Sequence, residues 1–235
     1  MKSNFLKASF SFLLCSTLLA SCVSSKKYED LQASKDALER EGAANKQKVD
    51  DLTASLKQRE QKLAEMERAM NEQQKILNDL RTQVTSALQG FNQGDLSINI
   101  KEGKVYVSMS DKLLFATGST KVNPTGQSAI NQLVSVLKKN QDVGVMVEGH
   151  TDDVEIVRGS LMKDNWDLSV LRATEITRMM VERGLSPDRV TASGRSFYQP
   201  VDAGRAPEAK AKNRRTEIIL TPDFTEIYKI LGIQS

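Results

Sequence analysis

The sequence is poor in the residues that staple or metallate a fold. Of its 235 residues two are cysteine, Cys15 and Cys22, and none follows position 22. The remainder of the chain therefore has no means for a disulfide framework or a thiolate metal site. With one histidine, His150, a histidine-rich metal centre is excluded as well, and no metal or cofactor is expected. Aromatic residues make up 5% of the chain, and the formal net charge is only +3. That balance offers no concentrated basic face, so nucleic acid is not an expected partner. Proline is absent between residues 28 and 91, which leaves that stretch free to form an uninterrupted helix. Long apolar runs are missing too. The N-terminal one, Ala8–Ala20, falls short of the roughly 20 residues that a membrane-crossing helix needs.

What is present begins with that short run. Lys2 and Lys7 precede it, and Ser21 and Cys22 follow it. A basic start, a short apolar core and a small-residue cleavage region describe a secretory signal peptide over residues 1–21. Leu19-Ala20-Ser21-Cys22 resembles the bacterial lipobox, in which the cysteine is acylated and becomes the first mature residue. The resemblance implies lipidation at Cys22, a lipidated N-terminus over residues 22–27, and a membrane as partner through that lipid. An ordinary signal peptide with an incidental cysteine is the alternative. Val23, where an aspartate would imply inner-membrane retention, points to the outer membrane with the chain facing the periplasm.

Residues 28–91 hold one heptad register without a break. Position a reads Tyr28, Lys35, Gly42, Val49, Leu56, Leu63, Met70, Leu77, Val84 and Phe91; position d reads Leu31, Leu38, Asn45, Leu52, Arg59, Met66, Gln73, Leu80 and Ala87. Strict seven-residue spacing keeps one seam facing a partner and predicts a coiled-coil stalk. In a parallel pairing, Glu41 meets Lys46 and Lys62 meets Glu67. A homo-oligomer through residues 28–91 is therefore expected, against the alternatives of a single charged helix or one folded back on itself. Such a helix would extend on the order of 95 Å. Gly90 and Gly94 end the pattern.

Beyond Gly94 the period changes to two. Leu96, Ile98 and Ile100 alternate, as do Val105, Val107 and Met109, with Glu102-Gly103 between them: a β-hairpin. Leu113-Leu114-Phe115 is a short apolar run. Asn123-Pro124 opens a helix with its buried face at Ile130, Leu133, Val134 and Leu137. A strand over Val143–Val147 ends at Glu148-Gly149, and residues 150–164 form a loop. A helix from Asn165 to Arg183 is stopped by Gly184. A strand over Val190–Ser193, a loop over 196–212 and a strand over Thr216–Leu220 follow. The fold class is therefore an α/β (α+β) sandwich over residues 95–222, with helices on one face of a sheet, preceded by the long helical coiled coil. A helical tail occupies 223–235.

Three clusters stand out: Gly149-His150-Thr151-Asp152-Asp153 past a strand end, Asn165-Trp166-Asp167-Leu168-Ser169-Val170-Leu171-Arg172-Ala173 opening a helix, and Asn213-Arg214-Arg215-Thr216-Glu217-Ile218 entering the last strand. Asn165, Leu168/Ser169 and Arg172 share one helix face. Asp152 opposite Arg172 would suit a zwitterion, the guanidinium taking a carboxylate and the aspartate an ammonium. Free amides at the helix start would add donors. A structural Asp–Arg pair joining loop to helix fits the same spacing. Over about Leu113–Leu220 these motifs resemble the OmpA-like peptidoglycan-binding family, the C-terminal domain of OmpA, Pal and MotB proteins. The resemblance implies that Asp152 and Arg172 hold diaminopimelate of the peptide stem and that Thr151, Asn165 and Leu168 line the pocket. Arg214 and Arg215 each read as reaching the ligand, or as a surface salt bridge or loop clamp. The expected function is an outer-membrane lipoprotein tethering that membrane to peptidoglycan; an envelope scaffold whose coil recruits another protein is the alternative. The 153–164 segment, with Arg158 and Lys163, departs from the shorter loop usual in OmpA and Pal proteins and leaves the pocket's shape open. No Ser/His/Asp or Cys/His set is apparent, so no catalytic residues are expected and the chain does not read as an enzyme. His150 reads as structural, and Trp166 as a packing anchor rather than a sugar platform.

Overall fold

A computed structural model describes residues 25–116, 119–156 and 162–231. The expected signal peptide, the lipidation site Cys22 and Arg158 lie outside them. Helix α1, Ser25–Ala87, runs through the boundary between two compact units, residues 1–64 and 65–235. In the first unit its heptad positions Tyr28, Leu31, Leu38, Val49, Leu52, Leu56 and Leu63 are exposed. None of the described helices is long and apolar enough to cross a membrane.

In the second unit the same heptad changes role. Leu77, Leu80 and Val84, at positions a, d and a, are at most 3% exposed and belong to the domain core, together with Leu88. The core thus reaches upstream of residue 95, where the change of period put the start of the domain. Strands β1 (Leu96–Lys101) and β2 (Lys104–Ser110) form the expected hairpin. Its two turn residues, Glu102 and Gly103, take φ of 51° and 71°. Such left-handed turns match the twist of the flanking strands.

Helix α2 (Asp111–Leu114) turns the apolar run Leu113-Leu114 into the core, with Ser110 capping it. Then come α3 (Pro124–Leu137), β3 (Val143–His150), α4 (Asn165–Glu182), a 3-10 turn at Pro187–Arg189, β4 (Val190–Gly194), α5 (Pro207–Asn213), β5 (Arg215–Pro222) and α6 (Thr225–Ile230). The sheet order is β1-β2-β5-β3-β4. Only the β3–β4 pair is parallel. Alternation puts Val105, Val107, Met109, Val143, Val145, Val147, Ile218 and Leu220 on the face packed against α3 and α4, where Ile130, Leu133, Ile176 and Met180 are fully buried. Each such side chain contributes about 1.5–3 kcal/mol. The other face carries Tyr106, Met146, Glu148, His150, Arg215 and Glu217.

Two segments differ from the sequence reading, and a third that it left open is placed. The 196–212 segment holds most of α5, which starts with Pro207 and Glu208 and carries Lys210 and Lys212 in its last turn. Proline at the first helical position and charges matched to the helix dipole explain it. Strand β3 runs on to His150, because that residue still pairs with Arg215 of β5. The start of the tail packs on the domain, with Phe224 buried in the core and Ile227 against it, while residues 232–235 lie outside the described residues.

Candidate ligand-binding site

The site is set by how closely α4 lies on the sheet. Gly149 of β3 pairs with Gly194 of β4. A Cβ on Gly149 would fall 2.2 Å from the Ser169 carbonyl oxygen, and one on Gly194 2.5 Å from Ser169 Oγ. Only glycines let the first turns of α4 rest on the strand ends. That contact brings Asn165, Leu168 and Arg172 over the point where Thr151 and Asp152 leave β3. The Thr151 amide donates to the Ser196 carbonyl (2.9 Å), and its hydroxyl to the Asp152 carbonyl (2.9 Å). Asn165 Nδ2 donates to the carbonyls of Asp152 (3.3 Å) and Val154 (2.9 Å) and so holds the loop.

Asp164, not Asn165, caps the helix: its Oδ1 accepts from the amides of Trp166 (2.9 Å) and Asp167 (3.2 Å). Two of the amide donors expected there, those of Trp166 and Asp167, are therefore already engaged. The pairing of charges also differs from the arrangement drawn from spacing. Asp152 Oδ2 lies 2.5 Å from Arg214 Nη1, whereas Arg172 Nη1 lies 2.8 Å from Asp111 Oδ1. Arg172 is 5% exposed, donates through Nε to the Ser119 carbonyl (3.2 Å), and has its guanidinium carbon 4.9 Å from the Phe115 ring centre. Aromatic face and carboxylate together hold the cation in a fixed pose.

Asp111 is the residue that sequence reasoning missed. It follows Ser110, which pairs with Arg215 across β2–β5, so strand order is what carries Asp111 toward Arg214 and Arg172. Burial raises its carboxyl above the ordinary aspartate range, with the guanidinium groups of Arg172 and Arg214 pulling the other way. Burial likewise works against the charge on Arg172, opposed by Asp111. Each of these two groups also feels Asp152. The result is a neutral quartet of two aspartates and two arginines. It lines one open groove with Phe115, Thr151, Asn165 and half-buried Leu168.

Neighbouring charges have other tasks. Asp153 pairs with Lys210 (2.8 Å), so Asp152 and Asp153 do not form a carboxylate pair. Arg215 bonds Glu217 through Nε (2.7 Å) and the Gln199 carbonyl through Nη1 (3.3 Å), which makes it a loop clamp. Asn213 Oδ1 accepts from the amides of Val201 (2.8 Å) and Asp202 (3.0 Å) in the same role. Glu148, His150 and Glu217 are a group among the described residues whose ligand atoms, within 4.8 Å of one another, could hold a metal ion. Both carboxylates, however, already face guanidinium groups, Glu148 at 2.9 Å from Arg195 and Glu217 at 2.7 Å from Arg215. Contact with His150 and then Arg195 keeps Glu148 below the usual glutamate range despite burial. That arrangement is a charge-compensated structural network in which His150 is one member.

The sequence profile of the OmpA family matches residues 114–214. Motility protein B of Bacillus subtilis is 24% identical over 151 residues, covering 63% of this chain and 58% of that protein. Peptidoglycan-binding protein ArfA of Mycobacterium tuberculosis is 30% identical over 108 residues, 46% of this chain and 32% of that one. This chain therefore spans little more than half of the first relative and a third of the second. A crystal structure of a MotB-like protein from Desulfovibrio vulgaris superposes with a TM-score of 0.60 at 26% identity, over 67% of this chain and 98% of the other.

Proposed function

Residues 114–214 form an OmpA-family domain, and from that premise we propose that this chain binds peptidoglycan non-covalently and tethers the outer membrane to it. The ligand is the free end of diaminopimelate in the peptide stem, which carries one ammonium and one carboxylate. The observation that carries this reading is the neutral quartet Asp111–Arg172 and Asp152–Arg214. A simple anion or cation would leave one buried charge without a partner, which is costly. A zwitterion exchanges with the existing pairs without changing the net charge: its carboxylate meets Arg172, its ammonium Asp152. Thr151, Asn165, Leu168 and Arg214 shape and hold the pocket around it.

The similarity to a mycobacterial peptidoglycan-binding protein supports the ligand. The lipobox at Leu19–Cys22 supports a lipid anchor in the outer membrane, with the domain in the periplasm. The chemistry asked of the site is binding rather than catalysis. Stem peptides test the ligand directly. A stem with lysine in place of diaminopimelate keeps the ammonium and lacks the carboxylate. The full chain should bind it at least about tenfold more weakly, because the charge-assisted bond to Arg172 is lost. Equal affinity for the two stems would refute the assignment of Arg172.

A second reading, an envelope scaffold, would use the exposed seam from Tyr28 to Met70 to take a different protein. On our reading this seam joins parallel copies of the chain, with Glu41–Lys46 and Lys62–Glu67 across the interface. It stops short of Leu77, whose heptad positions are taken up by the chain's own domain.

A further inference from the structure

An exposed aromatic stack stands beside the groove. Tyr198 lies between Phe197, with ring centres 4.4 Å apart and planes at 25°, and Trp166, at 5.6 Å and 28°. These are offset-stacked arrangements of the kind aromatic pairs prefer. Yet Tyr198 is 63% exposed, Trp166 44% and Phe197 37%. The rings pack on each other while a large part of their surface stays open, so Trp166, expected as a packing anchor, packs on Tyr198 at the surface.

The backbone is built to present them. Ser196, directly before the pair, has φ of 52°, a left-handed conformation uncommon outside glycine. It is 1% exposed. Two buried hydrogen bonds hold it there: its amide donates to Ser169 Oγ (3.2 Å), and its carbonyl accepts from the Thr151 amide (2.9 Å). Residues kept in such conformations by their surroundings concentrate at ligand sites. The bonds come from Thr151 and from α4, the two elements that build the groove. Arg195, Gln199, Pro200 and Val201, on either side of the aromatic residues, line the groove itself. Trp166 follows Asn165, which holds the groove's loop.

We propose that Trp166, Tyr198 and Phe197 form a second subsite, which takes a pyranose ring of the glycan backbone next to the groove that takes the peptide stem. The inference rests on the peptidoglycan reading above and extends it from peptide to sugar. Ring hydrogens of a pyranose carry partial positive charge and favour the electron-rich face of an aromatic ring. Arg195 and Gln199, which flank Phe197 and Tyr198 in the chain, line the groove and would offer polar groups to the hydroxyls. Continuity decides the occupant: a stem peptide seated in the groove brings its attached glycan to this rim.

Trp166 is the only tryptophan in the chain, so its emission reports on the subsite without labelling. The test uses the full chain in detergent with three probes: free diaminopimelate-containing stem peptide, the disaccharide-linked stem, and glycan strands stripped of peptide. The two sugar-bearing probes should shift Trp166 emission, and the free stem should not. The disaccharide-linked stem should bind about tenfold more tightly than the free stem. Tyr198→Ala should remove that difference while leaving free-stem binding within about twofold. Equal affinity for the two stems with unchanged emission overturns the proposal, as does a Tyr198→Ala variant that loses both stems alike. Binding of stripped glycan alone would keep the subsite and refute the diaminopimelate groove; binding of the free stem with no sugar effect would do the reverse.

Discussion

At the scale of single residues, the proposed function rests on Arg172 and on what keeps it charged where it is buried. Arg172→Ala should act in two separable ways. It removes the proposed carboxylate partner, and it leaves Asp111 without its guanidinium, at a cost of about 3 kcal/mol. Adding Asp111→Ala should recover most of that stability in a urea titration without restoring wall binding. Recovery of binding in the double variant would assign Arg172 a structural role only. The buried Glu148 makes a different prediction. It stays ionised in the folded chain to lower pH than in the unfolded one, because of His150 and Arg195. Its stabilising contribution is present above the usual glutamate range and is lost as pH falls through the lowered native value. Asp111 has the opposite sign: its native value is raised by burial, so its contribution is present at acid pH and declines as pH rises. Melting temperatures between about pH 5 and pH 3 should therefore fall less steeply for Glu148→Gln than for wild type. A curve merely displaced downward, with the same slope, would contradict the pairing.

At the scale of elements, the site depends on α4 lying against β3 and β4. Gly149→Ala puts a methyl group into the Ser169 carbonyl, which is backbone and cannot rotate away. Destabilisation of about 1–3 kcal/mol is expected, with loss of wall binding as Asn165 moves off the Asp152 and Val154 carbonyls and Arg172 off Asp111. Unchanged binding would mean that the groove tolerates a displaced helix. Much at this scale was legible in the chain. Strict alternation over Leu96–Met109 marked the hairpin, and the i, i+3/4, i+7 spacing of Asn165, Leu168 and Arg172 placed them on one face. What escaped was set by tertiary arrangement. Asp111 enters the site only because β2 lies beside β5. Asp152 meets Arg214 rather than Arg172 because α2 supplies Arg172 with a nearer carboxylate. Helix α5 is too short for periodicity to show. Trp166 gave no signal of exposure, since the strained turn at Ser196 that brings Tyr198 to it leaves no mark in residue spacing.

At the scale of the whole molecule, one heptad register meets two environments, and no sequence pattern distinguishes them. A leucine at position a or d looks the same whether its partner is another helix or a sheet. Leu56 and Leu63 are exposed, while Leu80 is 2% exposed within the core. The pair Leu56→Lys and Leu63→Lys should therefore dissociate the full chain to monomers in analytical ultracentrifugation, with the domain's melting transition unchanged. Leu80→Ala should instead cost the domain about 2–5 kcal/mol. If the lysine variant sediments as wild type, the seam is not the self-association surface and a different partner covers it. For the same reason a soluble fragment should keep residues 65–235; one starting at residue 90 would lose Leu77, Leu80, Val84 and Leu88 from its core. The most direct test of the tether is co-sedimentation of the full chain with insoluble peptidoglycan, comparing wild type with Asp152→Ala and Arg172→Ala, each checked for a native circular dichroism spectrum. The account predicts wild type in the pellet and both folded variants in the supernatant. Wild type remaining in the supernatant, or variants pelleting with it, would contradict it.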